Sequence, residues 1–253
     1  MVTKTLRSGV TKISQGVRWR LGMRVAATEL EQGTDESVAA FYSNRVTDCA
    51  FLDDPAHYEH PRARWVAGRL REGDGAGRGG RLLEVGCGNG GMTRLLSPLV
   101  DEVVALDTSE PSLQALAALG LKNVKTVNSL LERFEPGALF DWIVVSEVIE
   151  HLRQPQDAVD RCARWLAPGG AMLVTTPNGH WESDEHLHEF TLADFAGMLA
   201  RTGVESVHAS YLRDRENRRR WLVAELKAPA TPPAPDDFHD RRETARKRRS
   251  GNR

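Results

Sequence analysis

An acidic residue stands just before a glycine-rich segment that follows a short apolar run. The segment EVGCGNGG occupies residues 84–91, and its glycines at 86, 88 and 91 have the spacing G-x-G-x-x-G. This spacing is typical of a loop that follows a buried strand and lies against a nucleotide. Glu84 places a carboxylate two residues before the first of these glycines. The pattern therefore predicts a nucleotide-like ligand that is compatible with a neighbouring acid.

The acid narrows the choice of ligand. In NAD and FAD sites the glycine loop faces a pyrophosphate, which the carboxylate of Glu84 would repel. S-adenosylmethionine (SAM) has no phosphate, and its ammonium group is attracted by a carboxylate. Asp107 ends the next predicted strand, 19 residues after Gly88, where an acid can accept both ribose hydroxyls. The two acids together favour SAM; for the loop alone, a glycine turn beside an unremarkable strand-end Glu is the alternative.

Predicted strands and helices alternate around these residues. The strands cover residues 81–86, 102–107, 123–128, 140–146 and 171–177, and the helices cover about 57–71, 91–99, 110–119, 155–166 and 191–203. Two more strands, at 204–212 and 220–227, are joined by the charged loop RDRENRRR. We therefore predict an α/β fold with a doubly wound, mostly parallel seven-stranded Rossmann-like sheet and an antiparallel edge, with ligands at the carboxyl ends of the strands.

A second group of chemically capable side chains follows the fourth and fifth strands. In SEVIEHL, Glu147, Glu150 and His151 are spaced i, i+3, i+4, which places them on one face if the segment is helical. DEHLHEFT supplies His186 and His188. Carboxylates and imidazoles in such a group can bind Mg²⁺, Mn²⁺ or Zn²⁺, or can move protons.

We predict that Glu147, Glu150, His151 and His186 bind a divalent cation beside the methyl group that is transferred. His151, His186 and His188 are the candidate catalytic residues. The alternative is a metal-free site in which Glu150 is structural and His151 orients a loop or acts as the base.

Four motifs in this order resemble those of class I SAM-dependent methyltransferases, over about residues 57–226. They are LLEVGCGNGG, VVALDTS, FDWIVVSEVIEHL and WLAPGGAMLVTTPN. The pattern resembles bacterial glycan and sugar O-methyltransferases and ubiquinone-biosynthesis O-methyltransferases, and the E-x-x-E-H spacing also resembles small-RNA 2′-O-methyltransferases. The resemblance implies the methyltransferase fold and SAM as the cofactor.

By that resemblance a set of loop residues holds the cofactor: Glu84, Gly86, Cys87, Gly88, Asp107, Thr108, Ser129, Leu130 and Glu147. The sequence departs from many relatives after the third strand, where they carry an acid for the adenine amino group. Here Asn128, Ser129 and Leu130 stand there, so we expect Ser129 or backbone groups to replace the acid.

Composition and charge set the remaining expectations. Three widely spaced cysteines, Cys49, Cys87 and Cys162, argue against a disulfide framework, and no apolar run reaches the length of a membrane span, so we expect a cytoplasmic protein. Residues 1–28 carry six basic side chains and no acid, and 239–253 carry seven basic side chains and two acids. We expect a basic extension at 1–35, a methyltransferase domain at 36–228 and a Pro-rich linker with a charged, disordered tail at 229–253.

These observations predict a SAM-dependent O-methyltransferase whose acceptor is a hydroxyl of a sugar or glycan. A phenolic or other small metabolite is the first alternative acceptor. RNA ribose is a second, and the basic ends give it mild support although nucleic acid is not the favoured partner. A SAM-fold binding module without activity is the alternative outside enzymes, and the presence of Glu84, Gly86, Gly88 and Asp107 argues against it.

Overall fold

The computed structural model describes residues 40–43, 45–72, 79–180 and 185–231. Most of the two predicted basic extensions therefore lies outside the described residues, and the boundaries at 35 and 229 stay predictions. Trp181, between the fifth strand and His186, lies outside them as well. Within the described part, no helix is both long and apolar enough to span a bilayer.

The described residues form seven strands interspersed with five helices. The strands are β1 Arg81–Val85, β2 Glu102–Asp107, β3 Val124–Asn128, β4 Phe140–Ser146, β5 Leu166–Pro177, β6 Ser206–Arg213 and β7 Arg219–Lys227. The helices are α1 His60–Glu72, α2 Gly91–Leu96, α3 Glu110–Ala117, α4 Pro155–Arg164 and α5 Leu192–Ala200. Short 3₁₀ helices cover Ala50–Asp53, Ser97–Leu99 and Ile149–His151, and residues 40–43 are helical.

The strands form one sheet in the order β3-β2-β1-β4-β5-β7-β6. The five strands from β3 to β5 run parallel, whereas β7 is antiparallel to both β5 and β6. The strand order reverses between β1 and β4, so their carboxyl ends flank the crevice in which doubly wound sheets bind ligands. The fold prediction, including the antiparallel edge, is confirmed.

Alternate residues of the strands belong to two hydrophobic layers, one on each face of the sheet. Leu83 and Val145 pack with α4 and α5 on one face, and Leu82 and Val144 pack with α1, α2 and α3 on the other. Period-2 alternation of side chains explains why neighbours in β1 and β4 belong to different layers. The two layers bury the sheet and leave its carboxyl edge for the site.

Several predicted element ends are confirmed by local contacts. Thr191 caps α5, since its side chain accepts a hydrogen bond from the Asp194 amide at 3.2 Å. Pro155 begins α4 as predicted. The predicted strand at 171–177 begins five residues too late, because Leu166 already pairs with Phe140 and the register shifts before Ala171 pairs with Trp142.

Candidate active site

The glycine loop leads from β1 into α2 and is hydrogen-bonded to the end of β2. Gly86 has φ 70° and Gly88 has φ 52°, a region that disfavours other residue types. The Gly86 amide donates to the Leu106 carbonyl at 2.8 Å, and a Cβ at Gly86 would lie 2.5 Å from Cγ2 of Val148. A side chain at Gly86 would therefore push apart β1 and the segment that follows β4.

Gly91 has a different reason to be glycine. A Cβ there would lie 1.8 Å from the carbonyl oxygen of Cys49. Residues 45–49 cross the loop as a strap: the Asn89 amide donates to the Thr47 carbonyl at 3.1 Å, and the Cys49 amide donates to Oδ1 of Asn89 at 2.8 Å. The third glycine of the motif thus makes room for this strap, which the sequence alone did not reveal.

Asp107 lies at the end of β2 and is tied to the loop. Its Oδ2 accepts from the Gly88 amide and its Oδ1 accepts from the Ser109 amide, both at 2.8 Å. Burial raises the pKa of Asp107 although these amide bonds oppose the shift. Asp107 lines the adjacent cavity and each of its carboxylate oxygens has a second lone pair, which suits a ligand with two neighbouring hydroxyls.

Glu84 is 3% exposed, and its Oε2 has no hydrogen-bond partner within the described part of the structure. Burial raises its pKa to about 8. An unpartnered buried carboxylate is costly unless a cation reaches it. Because Glu84 lines a cavity, this geometry fits the ammonium group of SAM, the group for which the sequence predicted it.

A cavity of about 620 Å³ opens beside Asp107. Thr108, Ser129 and Leu130, three of the predicted cofactor residues, line it. Glu132, two residues further along the chain, also lines this cavity. It supplies the acid that is missing directly after β3. Sequence reasoning missed Glu132 because this acid follows β3 at a greater distance than the acid that many relatives carry there.

A smaller cavity of about 250 Å³ adjoins the larger one. Glu84 and Cys87 line the small cavity, and five residues line both, namely Thr47, Val85, Gly86, Glu147 and His151. The wall shared by the two cavities therefore carries one carboxylate and one imidazole. A ligand that fills both cavities passes directly beside these two groups.

Glu150, His151 and His186 come together in the wall of the small cavity. Their potential ligand atoms all lie within 4.8 Å of one another, and the two imidazole rings have centroids 4.9 Å apart. Glu150 is 1% exposed, and its Oε2 accepts from Thr176 at 3.0 Å. Its Oε1 has no hydrogen-bond partner among the described residues and lies 3.8 Å from Nε2 of His151.

The contacts of His151 indicate its tautomer. Its Nδ1 lies 2.9 Å from the Glu185 carbonyl oxygen, which can only accept, so Nδ1 carries the proton. The Tyr42 hydroxyl also lies 3.0 Å from Nδ1. In the neutral ring, Nε2 then keeps its lone pair and faces the carboxyl of Glu150. His151 is therefore oriented to accept a proton or to bind a metal through Nε2.

Burial shifts the ionisation of the whole cluster toward neutral forms. It lowers the pKa of His151, and burial together with the nearby His151 lowers the pKa of His186 to about 4. Burial raises the pKa of Glu150 to about 7. Both imidazoles are consequently unprotonated near neutral pH, as a base or a metal ligand requires.

Glu147 lies beside this cluster but is held by other partners. Its backbone has φ 55°, and its Oε1 accepts from Thr175 at 2.9 Å and lies 4.0 Å from Nε of Arg62. The segment is not an α-helix, since only Ile149–His151 forms a 3₁₀ turn. The structure thus brings three of the four predicted metal ligands together, whereas Glu147 is held by Thr175 and lies near Arg62.

The structure does not place His188 in either cavity. Its ring centroid lies 5.9 Å from that of Phe190, and its amide donates to the Glu150 carbonyl at 3.1 Å. Through that backbone bond the segment carrying His186 is fastened to the 3₁₀ turn. His188 is thus part of the scaffold around the cluster, and a direct catalytic role for its ring stays a prediction.

Sequence reasoning also missed Arg62, which is buried in the wall of the small cavity. Its Nη1 donates to Ser146 at 2.6 Å, its Nη2 pairs with Glu59, and its Nε has no hydrogen-bond partner in the described ranges. Arg62 lies in the first turn of α1 and belongs to no motif of fixed spacing, so no signal in the sequence indicated its role. Tyr58 and Trp221 line the same cavity.

Comparison with known proteins identifies the family. Residues 57–219 match the family described as "Methyltransferase domain". The ubiquinone biosynthesis O-methyltransferase of Caulobacter sp. (strain K31) is 35% identical over 119 residues, which are 42% of this chain and 46% of that protein. The corresponding protein of Xylella fastidiosa (strain 9a5c) is 34% identical over 136 residues, or 51% and 49% of the two chains. The chain thus spans about half the length of these relatives.

Solved structures share the fold at lower identity. N-methyltransferase NodS from Bradyrhizobium japonicum WM9, in complex with S-adenosyl-L-homocysteine, superposes with a TM-score of 0.59 at 21% identity, covering 77% of this chain and 97% of NodS. A structure described as a DhpI–SAH complex gives a TM-score of 0.61 at 22% identity, covering 79% and 98%. With the glycine loop, Asp107 and the sheet order in place, the chain belongs to the methyltransferase-domain family, and its fold is that of the class I SAM-dependent methyltransferases.

Proposed function

We propose that this protein transfers the methyl group of SAM to a hydroxyl, and that His151 is the base. The observation that carries this proposal is the orientation of His151 in the cavity wall, where Nδ1 is engaged by the Glu185 carbonyl and Nε2 lies 3.8 Å from Oε1 of Glu150. An uncharged amine attacks a methyl donor without a strong base, whereas a hydroxyl needs its proton removed. A buried, neutral imidazole is the group that a hydroxyl acceptor requires.

The proposed cofactor site spans both cavities, with charged side chains in each. Bound SAM supplies an electrophilic methyl group on a sulfonium. Asp107 accepts from the ribose, Glu84 pairs with the ammonium group, and Glu132 with Ser129 lies on the adenine side. Arg62 provides a guanidinium in the cavity that Glu84 lines, so we assign it to the carboxylate of the same ligand.

A divalent cation fits the Glu150, His151 and His186 group by chemistry. One carboxylate and two neutral imidazoles suit Zn²⁺ or Mn²⁺, and Oε1 of Glu150 is buried without a hydrogen-bond partner in the part of the chain described. A bound cation would lower the pKa of a coordinated hydroxyl. In that arrangement His151 would serve as a ligand, and we assign the proton to Glu147, which lines the same cavity.

We propose a sugar or glycan hydroxyl as the first acceptor class. Such hydroxyls are weak nucleophiles, and the site assembles the base and candidate metal ligands that they need. Tyr58, which is 42% exposed, lines the small cavity and offers a ring face against which a sugar can stack. A phenol is the second candidate, favoured by the relatives that bear the name ubiquinone biosynthesis O-methyltransferase.

The test is a transfer assay with radiolabelled SAM over sugars, glycans, phenols, amines and RNA 3′ ends. The proposal expects label on a hydroxyl compound, with wild-type protein active and His151→Ala reduced on the same acceptor. Transfer to amines alone, at a rate that His151→Ala leaves unchanged, would overturn it. Label on phenols but never on sugars would replace the first acceptor class with the second.

A further inference from the structure

The connection between β6 and β7 is rich in arginine and lies beside the candidate active site. Residues 213–220 hold five arginines and two acids. Asn178 follows β5 and fastens this connection, since its amide donates to the Arg220 carbonyl and its side chain donates to the Arg219 carbonyl, both at 2.9 Å. Because β5 ends at the carboxyl edge of the sheet, the arginines stand at the edge that holds the cavities.

Asp214 organises the loop and neutralises part of its charge. Its Oδ2 accepts from Nε of Arg218 at 2.8 Å and from Nε of Arg220 at 2.9 Å. Its Oδ1 accepts the amides of Glu216 and Arg218, each at 2.9 Å. Arg218 also pairs with Glu216 at 2.6 Å. These four side chains balance one another and hold the turn in one conformation.

Three exposed arginines remain without a carboxylate partner among the described residues. Nη1 of Arg213 donates to the Asn217 carbonyl at 2.6 Å, and the guanidinium of Arg219 lies 4.4 Å above the Tyr211 ring. Arg215 is exposed at the turn. The carbonyl and the ring orient Arg213 and Arg219 but leave their charges unbalanced. Oriented guanidinium groups are well suited to phosphate, because their planar forks donate two hydrogen bonds at once.

The interior of the small cavity, unlike the arginine-rich connection, disfavours anions. Five carboxyl groups line the small cavity, namely Asp48, Glu59, Glu84, Glu147 and Glu150, against the guanidinium of Arg62. An anionic group on an acceptor is therefore disfavoured inside. Arg220 connects the two regions, because its guanidinium lies 5.9 Å from the ring of Tyr58, which lines the cavity. The charges favour an acceptor with a neutral end inside and an anionic end outside.

We infer that the β6–β7 connection binds a phosphate group of the acceptor, while the acceptor's hydroxyl enters the small cavity. This inference rests on the proposed hydroxyl methylation. The phosphate can belong to a free sugar phosphate or to the headgroup of a lipid, since both present the same oxyanion to Arg213, Arg215 and Arg219. The loop would then select among hydroxyl compounds by a charge that lies away from the reacting oxygen.

The test measures anion binding without any acceptor. Inorganic pyrophosphate is titrated by calorimetry into the full chain, into Arg213→Ala/Arg215→Ala/Arg219→Ala, and into a control triple variant. The control removes three exposed cations elsewhere, at Arg64, Lys122 and Lys125. The basic terminal stretches contribute equally to all three proteins. We expect the loop variant to lose about tenfold or more in affinity and the control to change less than about twofold.

Equal losses in the two triple variants, or no loss in either, would overturn the inference. Vesicles of phosphatidylglycerol in phosphatidylcholine identify the source of the phosphate: loop-dependent vesicle binding stronger than pyrophosphate binding supports a lipid headgroup, and loop-dependent pyrophosphate binding alone supports a free phosphate. SAM titration of the same proteins separates the two proposals. A wild-type chain that binds pyrophosphate through the loop but does not bind SAM would remove the proposed function and leave the anion site standing.

Discussion

Nδ1 of His151 lies 2.9 Å from the backbone carbonyl oxygen of Glu185, which belongs to the segment after β5. This contact links the turn after β4 to the segment after β5 and directs Nε2 of His151 toward Glu150. The Glu185 side chain in turn pairs with Arg45 at 2.7 Å, and the Arg45 carbonyl accepts from Ser112 at 3.1 Å. These contacts connect the candidate base, His151, to the strap that crosses the glycine loop.

Replacing His151 by Ala should lower kcat by about 10²–10⁴-fold, the range for losing a positioned general base. His188→Ala is the matched comparison, because the ring of His188 lies outside both cavities and should matter far less. Tyr42→Phe removes one contact at Nδ1 and should lower kcat by about tenfold or less. Steady-state kinetics with the acceptor that the screen identifies check all three. Equal loss in the His151 and His188 variants would contradict the assignment of the base.

Glu84→Gln should weaken SAM binding and should raise the free energy of unfolding at pH 8. The pKa of Glu84 is raised from 4.5 to about 8, so the folded state tolerates the neutral carboxyl below pH 4.5 and loses stability as pH rises to about 8. The glutamine variant avoids that loss. Its advantage in unfolding free energy should be near zero at pH 4.5 and on the order of 1–3 kcal/mol at pH 8.

Urea denaturation at several pH values measures this difference, with the exposed Glu205→Gln as control. SAM affinity of Glu84→Gln should fall by about tenfold or more, because a charged partner of the ammonium group is lost. Stability curves of wild type and Glu84→Gln that run parallel from pH 4.5 to 8 would show that the buried carboxyl is already compensated.

Asp107→Ala should weaken SAM binding by about 1.5–3 kcal/mol, the range for losing a charged hydrogen-bond acceptor. Part of this loss comes from the Gly88 amide, which donates to Oδ2 of Asp107 at 2.8 Å. Asp107→Asn keeps one acceptor and should lose less. Calorimetry with SAM and with NAD checks the prediction; tight NAD binding without SAM binding would refute the assignment of the cofactor.

Removal of divalent cations should reduce activity if the Glu150, His151 and His186 group binds one during turnover. Activity is measured after exhaustive chelation and after Mg²⁺, Mn²⁺ or Zn²⁺ is added back. Direct metal binding by calorimetry, with His186→Ala as the variant, provides a readout that does not depend on turnover. Full activity in chelator would exclude a required metal and leave His151 as the base.

Deleting residues 230–253 should preserve the fold and SAM binding. β7 ends at Lys227, and the last backbone bonds of the sheet edge are made by Ala228 and Pro229, at 2.9 and 3.0 Å. The deletion begins after both. Circular dichroism and SAM titration compare the truncated and full chains, and a truncated chain that folds poorly or no longer binds SAM would move the domain boundary into the tail.

The sheet and the cofactor residues could be predicted because their signals are local. Short continuous apolar runs indicate β1 and β2, and Glu84 and Asp107 are marked by their positions near the strand ends. The early start of β5 could not be predicted, because Pro168 and two glycines disfavour a strand locally while pairing of Leu166 with Phe140 extends it.

The rest of the site depends on contacts between distant segments. Arg62 reaches Glu147 from a helix 85 positions earlier in the chain, and Tyr42 reaches His151 from 109 positions earlier. Neither residue belongs to a motif of fixed spacing. The convergence of His151 and His186 was predicted from two motifs, but the position of Glu147 was not, because its left-handed backbone turns the side chain toward Arg62.

The most direct test of O-methylation is NMR of a product formed with SAM that carries a ¹³C-labelled methyl group. The acceptor is the most active compound in the screen, and the same reaction is run with His151→Ala. We predict that the labelled carbon is bonded to oxygen and that the variant forms the product much more slowly. A labelled carbon bonded to nitrogen, formed equally fast by both proteins, would contradict the account.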